Sequence, residues 1–545
     1  MQRSARKFTW VARKEVFNEF GKLPSIEKKG DAENIFAFLR KRVEESIDTS
    51  LKISNIDNFA EEILKLEDEN IILHGDYDVD GITSVAILSN IFEKLGKKSE
   101  KILPSRFESG YGIDIKKIKE KLDLSKKNIV FALDSGTNEL DKISFLKKNG
   151  VQIYVIDHHE PESKDKEVDF PIINPKYHGT ENAKILSTAG LCHVLAEKIF
   201  SDKDFLYDEI FPLSALGTVS DVSPMVGKNW QIVKKSLENF PGNNIGLKKL
   251  IEVSCINSQI KSYHLGFILG PKLNASGRIF SPNESLDLLL EKSEEKARIL
   301  AEKLDFYNKE RQKITKLALE KILEKIEDKD SKIFIFGDES FKKGVAGLVA
   351  SEVVERFGGA SFIYEKSGSV FTGSARSDGS IDVSKVLSNL SDVLISGGGH
   401  KLAGGFSLKR EKEDLFKDRL NEICRENFKK VGRKLEVSFE ISNFSQEILQ
   451  FVFKKISDLE PFGPCNNSPK IIGRGLTLIS EKTIGDMKNH QRVSFVKNQQ
   501  ILDGIQFDFP EKLKVGSRYD IVFSLSENNF EDGKFEAIVE DFRES

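Results

Sequence analysis

From Asn70 onward the chain repeats one pattern: a short apolar run, an acidic or glycine-containing turn, then an amphipathic stretch at helical spacing. Ile71–Leu73 runs into His74-Gly75-Asp76-Tyr77-Asp78-Val79-Asp80-Gly81-Ile82-Thr83-Ser84, and the spacing predicts a helix over Ile82–Leu95. Ile129–Leu133 runs into Asp134-Ser135-Gly136-Thr137 and a helix to about Asn149. Val151–Ile156 runs into Asp157-His158-His159-Glu160. Three β-branched runs alternating with helices predict a parallel sheet. Ligands bind such sheets beyond the carboxyl ends of the strands, where all three acidic clusters fall.

Further along, a helix is expected over Leu186–Phe200, then an apolar run Leu213–Leu216 leading into Gly217-Thr218-Val219-Ser220-Asp221 as a further strand end. Ser281-Pro282-Asn283-Glu284 has a capping-box form, and the Leu-, Ala-, Glu- and Lys-rich stretch to about Glu327 reads as one long or once-broken helix. A second α/β unit begins at Lys332–Phe336, with a helix over Val345–Phe357, strands near Ser361–Tyr364 and Ser369–Ala375, and the glycine run Ser396-Gly397-Gly398-Gly399-His400. From about Leu435, six strand-like runs and one helix suggest a small β-barrel such as an OB-fold. The expected fold is a multidomain α/β protein. Its parts are a helical preface (1–50), a parallel-sheet domain (51–280), a connecting helix (281–330), a smaller α/β domain (331–430) and an OB-fold-like barrel (435–545).

Composition changes little in that picture. A chain of 545 residues is too long for one core. Hydrophobic content of 39% and charged content of 31% describe a soluble globular protein. The net charge of −3 shows no global basic field, although a multidomain enzyme can keep its basic surface local. Cys192, Cys255, Cys424 and Cys465 are scattered without a CxxC pair, as expected of reduced thiols in a cytoplasmic protein. No stretch approaches the roughly 18 apolar residues of a membrane span, so no membrane partner is expected.

The chemistry lies in the strand-end clusters. In an extended backbone side chains alternate, so His74, Asp76, Asp78 and Asp80 would point one way. Groups of that kind repel one another unless a cation sits among them. With Asp134, Asp157, His158, His159 and Asp221 they form a set of carboxylates and imidazoles without cysteine, which suits Mn²⁺ or Mg²⁺ and argues against thiolate zinc. Asp78, Asp80, Asp134 and Asp221 balance the charge of two divalent ions. Two metals about 3.5–4 Å apart generate a nucleophile from water and clamp the attacking and leaving oxygens of a phosphoryl transfer. Any one Asp is an ordinary cap or turn residue; the set is not.

HGDYDVDG, ALDSGT, IDHHE and LGTVSDV resemble the DHH phosphoesterase superfamily, named for the triplet Asp157-His158-His159. GPKLNASGRI (270–279), GSARSDG (373–379) and SGGGHKLAGGF (396–406) look like its DHH-associated substrate-binding domain and flanks. Leu459-Glu460-Pro461-Phe462-Gly463-Pro464 before a barrel is similar to one branch, the RecJ single-strand-specific DNA exonucleases.

The resemblance implies metal ligands at His74, Asp78, Asp80, Asp134, His158 and Asp221. It implies catalytic roles for Asp134, His158 and His159, with His159 facing the scissile phosphate. Asp157 would orient the histidines, and Asp76 would support the ligands. A 5′-phosphate would be anchored by Arg106 from the first unit and by Arg278, Ser374, Arg376 and His400, with Tyr111 and Phe107 available for base stacking. Gly397-Gly398-Gly399 permits close backbone approach to an anion. Barrel candidates for strand contacts are Lys470, Arg474, Lys482 and Arg492.

The implied activity is metal-dependent removal of 5′-mononucleotides from single-stranded DNA, 5′ to 3′, in recombination and repair. A monomer is expected, and the partners implied by resemblance alone are single-strand-binding protein and a helicase. Two alternatives stand beside it: a DHH-type hydrolase of short oligoribonucleotides or cyclic dinucleotides, and a non-catalytic single-strand-binding scaffold. The barrel argues against the first, because such relatives generally end before it. The complete metal motifs argue against the second.

Overall fold

The computed structural model describes residues 8–44, 51–104, 112–162, 168–326, 331–432, 434–485, 489–507, 509, 512–527 and 535–545. The chain starts with an arm that carries β1 (Thr9–Ala12), β2 (Ser25–Ile26) and the helix Lys29–Glu44. The first α/β unit follows. Its strands β3 (Asn70–His74), β4 (Ser99–Ile102), β5 (Asn128–Leu133), β6 (Gln152–Ile156) and β7 (Ile172–Ile173) form a parallel sheet in the order β4-β3-β5-β6-β7.

Alternation along these strands feeds two cores, one on each face. Ile71, Leu73, Ile129, Phe131 and Leu133 pack with the helices Val79–Lys94 and Thr188–Ile199. Ile72, Val130, Ala132 and Val155 pack on the opposite face with Ile118, Ile143 and Leu146. Register places His74 opposite Ala132 and Leu133 opposite Ile156, so the strands end level and their acidic successors meet at one edge.

Two sequence expectations change here. The helix after β3 begins at Val79 rather than Ile82, which puts Asp80 inside it. The run Leu213–Leu216 is no strand: it lies in the helix Phe211–Ser220, with Asp221 as its C-terminal cap. A run buried all round has no period to read, so its sequence cannot separate strand from helix.

GPKLNASGRI forms the helix Gly270–Ile279, which belongs to the first unit and abuts the second. The connector is once broken, into Asn283–Leu290 and Glu294–Lys325. The expected capping box does not form: Pro282 occupies the cap, and Ser281 Oγ accepts instead from Asn283 N–H at 3.4 Å.

The second unit has β8 (Ile333–Asp338), β9 (Ala360–Glu365), β10 (Val370–Ser377), β11 (Leu394–Gly399) and β12 (Ala403–Lys409), in the order β11-β12-β10-β9-β8. The helix Lys343–Phe357 makes the crossover of the parallel β8–β9 pair. The glycine run is an edge strand rather than a turn. Gly404 on β12 has no room for a side chain, since a Cβ there would meet Gly398 O at 2.8 Å.

The last unit contains β13 (Lys434–Val437), β14 (Phe439–Ile441), β15 (Ile471–Ile484), β16 (His490–Lys497), β17 (Gln500–Gln506), β18 (Arg518–Glu527) and β19 (Phe535–Glu544). Pairing of β15 with β16 closes the order β16-β17-β19-β18-β15 into a barrel.

The arm 8–44 is no separate preface. β1 pairs with β13 and β2 with β14, and Val16, Ile26, Ile35, Phe36 and Leu39 share a core with Phe439, Ile448 and Val452. Trp10 Nε1–H donates to Asp541 Oδ2 at 2.7 Å, and the Arg543 guanidinium lies 3.8 Å from the Trp10 ring centroid. Each fully buried Ile or Leu contributes about 1.5–3 kcal/mol, so the arm is a substantial part of the barrel unit's core. Among the described residues no helix is long and apolar enough to cross a membrane.

Candidate metal centre

The opening motif bends sharply. β3 stops at His74, Asp76 lies in the loop, and Asp78 caps the next helix by accepting from Gly81 N–H at 3.1 Å. The extended alternation expected of His74, Asp76, Asp78 and Asp80 is therefore absent. A strand–loop–helix turn brings Asp76 and Asp78 to Asp134, and carries Asp80 to His158 and Asp221.

Among the described residues three groups of candidate ligand atoms result, each within 4.8 Å: Asp76, Asp78 and Asp134; Asp80, His158 and Asp221; and Asp134, His158 and His159. His158 Nε2 joins them, at 3.4 Å from Asp134 Oδ1 and 3.8 Å from both Asp80 Oδ2 and Asp221 Oδ1.

Asp80 is buried and held from below. The first N–H groups of the helix Thr188–Ile199 donate to it, Thr188 to Oδ2 at 2.8 Å and Ala189 to Oδ1 at 2.9 Å. A helix N-terminus favours negative charge there. Thr188 Oγ1 also donates to Asp134 Oδ1 at 3.0 Å. Gly217 makes the close approach possible, since a Cβ would meet Thr83 Oγ1 at 2.4 Å and Asp80 Oδ1 at 3.1 Å. Asp134 sits at φ +60°, a left-handed conformation that Asp tolerates better than most residues.

The electrostatics describe carboxylates crowded out of water. Burial, then the nearby Asp221 and Asp78, pushes Asp80 well above the ordinary carboxylate range. Burial and the charge of Asp80 do the same to Asp134. Burial and Asp78 raise Asp76 to about 8, and burial raises Asp221. Burial lowers His158 and keeps it neutral, as a metal ligand must be.

Asp157 behaves oppositely. Burial alone would raise it, but its hydrogen bond and charge contact with His159 hold it below the carboxylate range. Its Oδ1 accepts from the N–H groups of His158 (2.7 Å) and His159 (3.1 Å), and Oδ2 accepts from Thr137 N–H at 3.0 Å. The Asp157 hydrogen bond raises His159, whose ring is half exposed, to about 9.

His74 stands apart from the three groups. Its Nε2 accepts from Asp114 N–H at 3.0 Å, burial lowers it to about 4, and its buried Nδ1 has no hydrogen-bond partner.

The second unit gathers most of the anion candidates. Ser374 and Arg376 share one face of β10, and a Cβ at Gly347 would meet Arg376 Nη2 at 2.8 Å and Ser374 Oγ at 3.4 Å. Arg376 pairs in register with Ala403, whose carbonyl accepts from His400 N–H at 2.7 Å. Arg278 reaches the same helix from the first unit, donating to Gly344 O at 3.5 Å.

The helix that carries Arg278 also touches the opening motif: Asn274 Oδ1 accepts from Val79 N–H at 3.2 Å, and a Cβ at Gly277 would meet Tyr77 O at 2.7 Å. Arg106, Phe107 and Tyr111 lie outside the described residues. In the barrel, Lys470 pairs with Glu540 at 3.2 Å and Arg474 with Glu440 at 2.8 Å. Thr188, Ala189, Asn274 and Asp114 were not anticipated. Thr188 and Ala189 left a signal in the capping serine Ser187 ahead of an apolar helical run, and Asn274 lies within the motif GPKLNASGRI.

Comparison with known proteins agrees with this arrangement. The DHH family N-terminal domain matches residues 70–218, the DHHA1 domain 313–426 and the RecJ OB domain 440–541. A parallel sheet with a carboxylate and imidazole cluster at its strand ends, followed by a DHHA1 domain, defines the DHH class. The chain carries the matches of that class in order, with the RecJ OB domain last, and so resembles the RecJ branch.

It is 30% identical over 486 residues to the single-stranded-DNA-specific exonuclease RecJ of Bacillus subtilis, covering 86% of this chain and 60% of that protein. The fold matches the crystal structure of Thermus thermophilus RecJ in complex with Mn²⁺ with a TM-score of 0.80 at 23% identity, over 97% of this chain and 77% of that one. A crystal structure of exonuclease RecJ bound to manganese matches with a TM-score of 0.61 at 27% identity, over 69% of this chain and 95% of that one.

Proposed function

We propose that this protein is a divalent-metal-dependent exonuclease that hydrolyses single-stranded DNA from the 5′ end and releases 5′-mononucleotides. The observation that carries this reading is the crowding of Asp76, Asp80, Asp134 and Asp221 around Asp78, all pushed toward protonation by burial and each also by the charge of Asp78. Such a site favours multivalent cations of hard-ligand type, and oxygen donors with a neutral imidazole fit Mn²⁺ or Mg²⁺. The manganese bound by a RecJ exonuclease at 27% identity supports the same choice.

Asp78, Asp80, Asp134, His158 and Asp221 would hold two ions; His74 would join them through Nε2 only by releasing Asp114. When bound, the ions supply a water nucleophile at neutral pH and charge for the phosphoryl oxygens. Two backbone N–H groups fix Asp80 in place and offset part of the burial that pushes it toward protonation. Asp157 aims His158 and His159, and a protonated His159 at the half-exposed edge faces the scissile phosphate. Arg278, Ser374, Arg376 and His400 anchor the terminal phosphate, which sets polarity, and the barrel holds the strand behind it.

The substrate reading follows the single-stranded-DNA-specific relatives and the presence of the barrel. A metal-titrated assay that compares long single-stranded DNA with dinucleotides tests it. Digestion of the long strand, dependent on Mn²⁺ or Mg²⁺, is expected. Activity confined to dinucleotides would transfer the protein to the short-oligonucleotide hydrolases.

A further inference from the structure

Tyr263 and Phe267 stand one turn apart on the helical run from Ser262 to Ile279 and are 60% and 71% exposed. Their ring centroids are 5.1 Å apart and their planes within 20° of parallel. Two large rings stacked in water form an apolar surface that packing among the described residues leaves uncovered.

Their position connects them to the metal cluster. On the same run, Gly266 and Gly270 press on the end of the helix Phe211–Ser220. A Cβ at Gly266 would meet Val219 at 3.2 Å, and one at Gly270 would meet Ser220 Oγ at 2.5 Å. The next residue is Asp221 of the cluster, followed by Val222, 67% exposed and held at φ +60°. A β-branched residue in that conformation is strained and marks a turn under constraint.

The other flank reaches the barrel. Ser262 Oγ donates to Phe462 O at 3.0 Å, and Met225 N–H donates to Pro464 O at 2.7 Å. The residue before Tyr263 and the turn after Asp221 are thus both fastened to the segment that leads into the barrel. The rings thus lie on a run that touches both the helix ending at Asp221 and the segment leading into the barrel.

We infer that Tyr263 and Phe267 form a stacking platform for unpaired bases of the incoming strand. This rests on the nuclease reading above and adds to it residues that position the substrate. Every base offers a flat face to a ring whatever its sequence, whereas a duplex keeps its faces covered, so the platform selects single strands. The neighbouring cation does not supply the contact: Lys261 Nζ lies 3.1 Å from Glu527 and 3.8 Å from Glu460. Binding at this ledge therefore depends on ring area more than on salt.

The test uses the full chain with Tyr263→Ala and Phe267→Ala combined. The preference in kcat/KM for a long 5′-phosphorylated strand over a trinucleotide is expected to fall about tenfold or more, through KM. Tyr263→Trp with Phe267→Trp should restore it, and leucine at both positions should not. Equilibrium binding of a strand containing 2-aminopurine, measured in EDTA without turnover, separates the two readings. Weaker binding and lost quenching in the alanine variant support the platform even if the parent protein hydrolyses nothing. Equal affinity in parent and variant would overturn it. So would a change in the sedimentation of the DNA-free protein, because the rings would then be a contact between copies.

Discussion

Asp157 holds His159 twice through one oxygen: the His159 backbone N–H donates to Asp157 Oδ1 at 3.1 Å, and Nδ1 of the same residue lies 2.7 Å from it. The backbone contact fixes the turn and the ring contact fixes the imidazole. Removing the carboxylate charge loosens both, so Asp157→Asn should cost about 10–100-fold in kcat with the fold retained. His159, raised to about 9 by this partner, should fall toward its ordinary value. The alkaline limb of the kcat profile should then move to lower pH, and an unmoved limb would place the charge of His159 outside the reaction.

The cluster makes a prediction about stability without any substrate. Asp76, raised to about 8, and Asp80, Asp134 and Asp221, raised by burial, all bind protons more tightly folded than unfolded. A raised carboxylate contributes stability that is complete below its unfolded value near 4 and lost as pH rises through its folded value. The metal-free protein should therefore lose thermal stability between about pH 4 and pH 8 on account of these groups. Asp76→Asn should flatten that slope. Mn²⁺ should raise the Tm at pH 8, and EDTA should reverse the rise. Calorimetry of parent and variant across pH, with and without metal, checks each sign.

Gly217 offers a test of how tightly the ligands are supported. A Cβ there would meet Ala189 at 2.5 Å and Thr83 Oγ1 at 2.4 Å, between the helix that donates to Asp80 and the helix that carries it. Gly217→Ala should destabilise the protein by about 1–3 kcal/mol through overpacking. It should also weaken Mn²⁺ binding by shifting Asp80. A full-strength metal-induced rise in Tm in this variant would show that Asp80 is not held from that side.

Much of this was readable along the chain because each signal is local. Strand alternation, the glycine punctuation and the acidic successors at 74–80, 134 and 157–159 lie within a few residues of one another, and short-range periodicity reports them. What the sequence hid is long-range or has no period. The run Leu213–Leu216 is buried on every side, so it carries no helical stripe, and its helical state follows from packing on its neighbours. The arm 8–44 pairs with strands more than 400 residues away, through β1 and β2, which are too short to announce themselves. The donors to Asp80 are backbone N–H groups, which every residue has, and only the cap at Ser187 hints at them. At His74 the position in the motif suggests a ligand, and only the fold reveals that its Nε2 accepts from Asp114 N–H.

The most direct test is digestion of 3′-end-labelled single-stranded DNA, with and without a 5′-phosphate, by the parent protein and by Asp134→Ala in Mn²⁺. The parent should shorten the strand progressively from the 5′ end, faster when the phosphate is present, and release 5′-mononucleotides. Asp134→Ala should be slower by about a thousandfold or more while circular dichroism stays native, because Asp134 belongs to two of the three ligand groups. Undiminished digestion by a folded Asp134→Ala protein would contradict the metal-centre assignment.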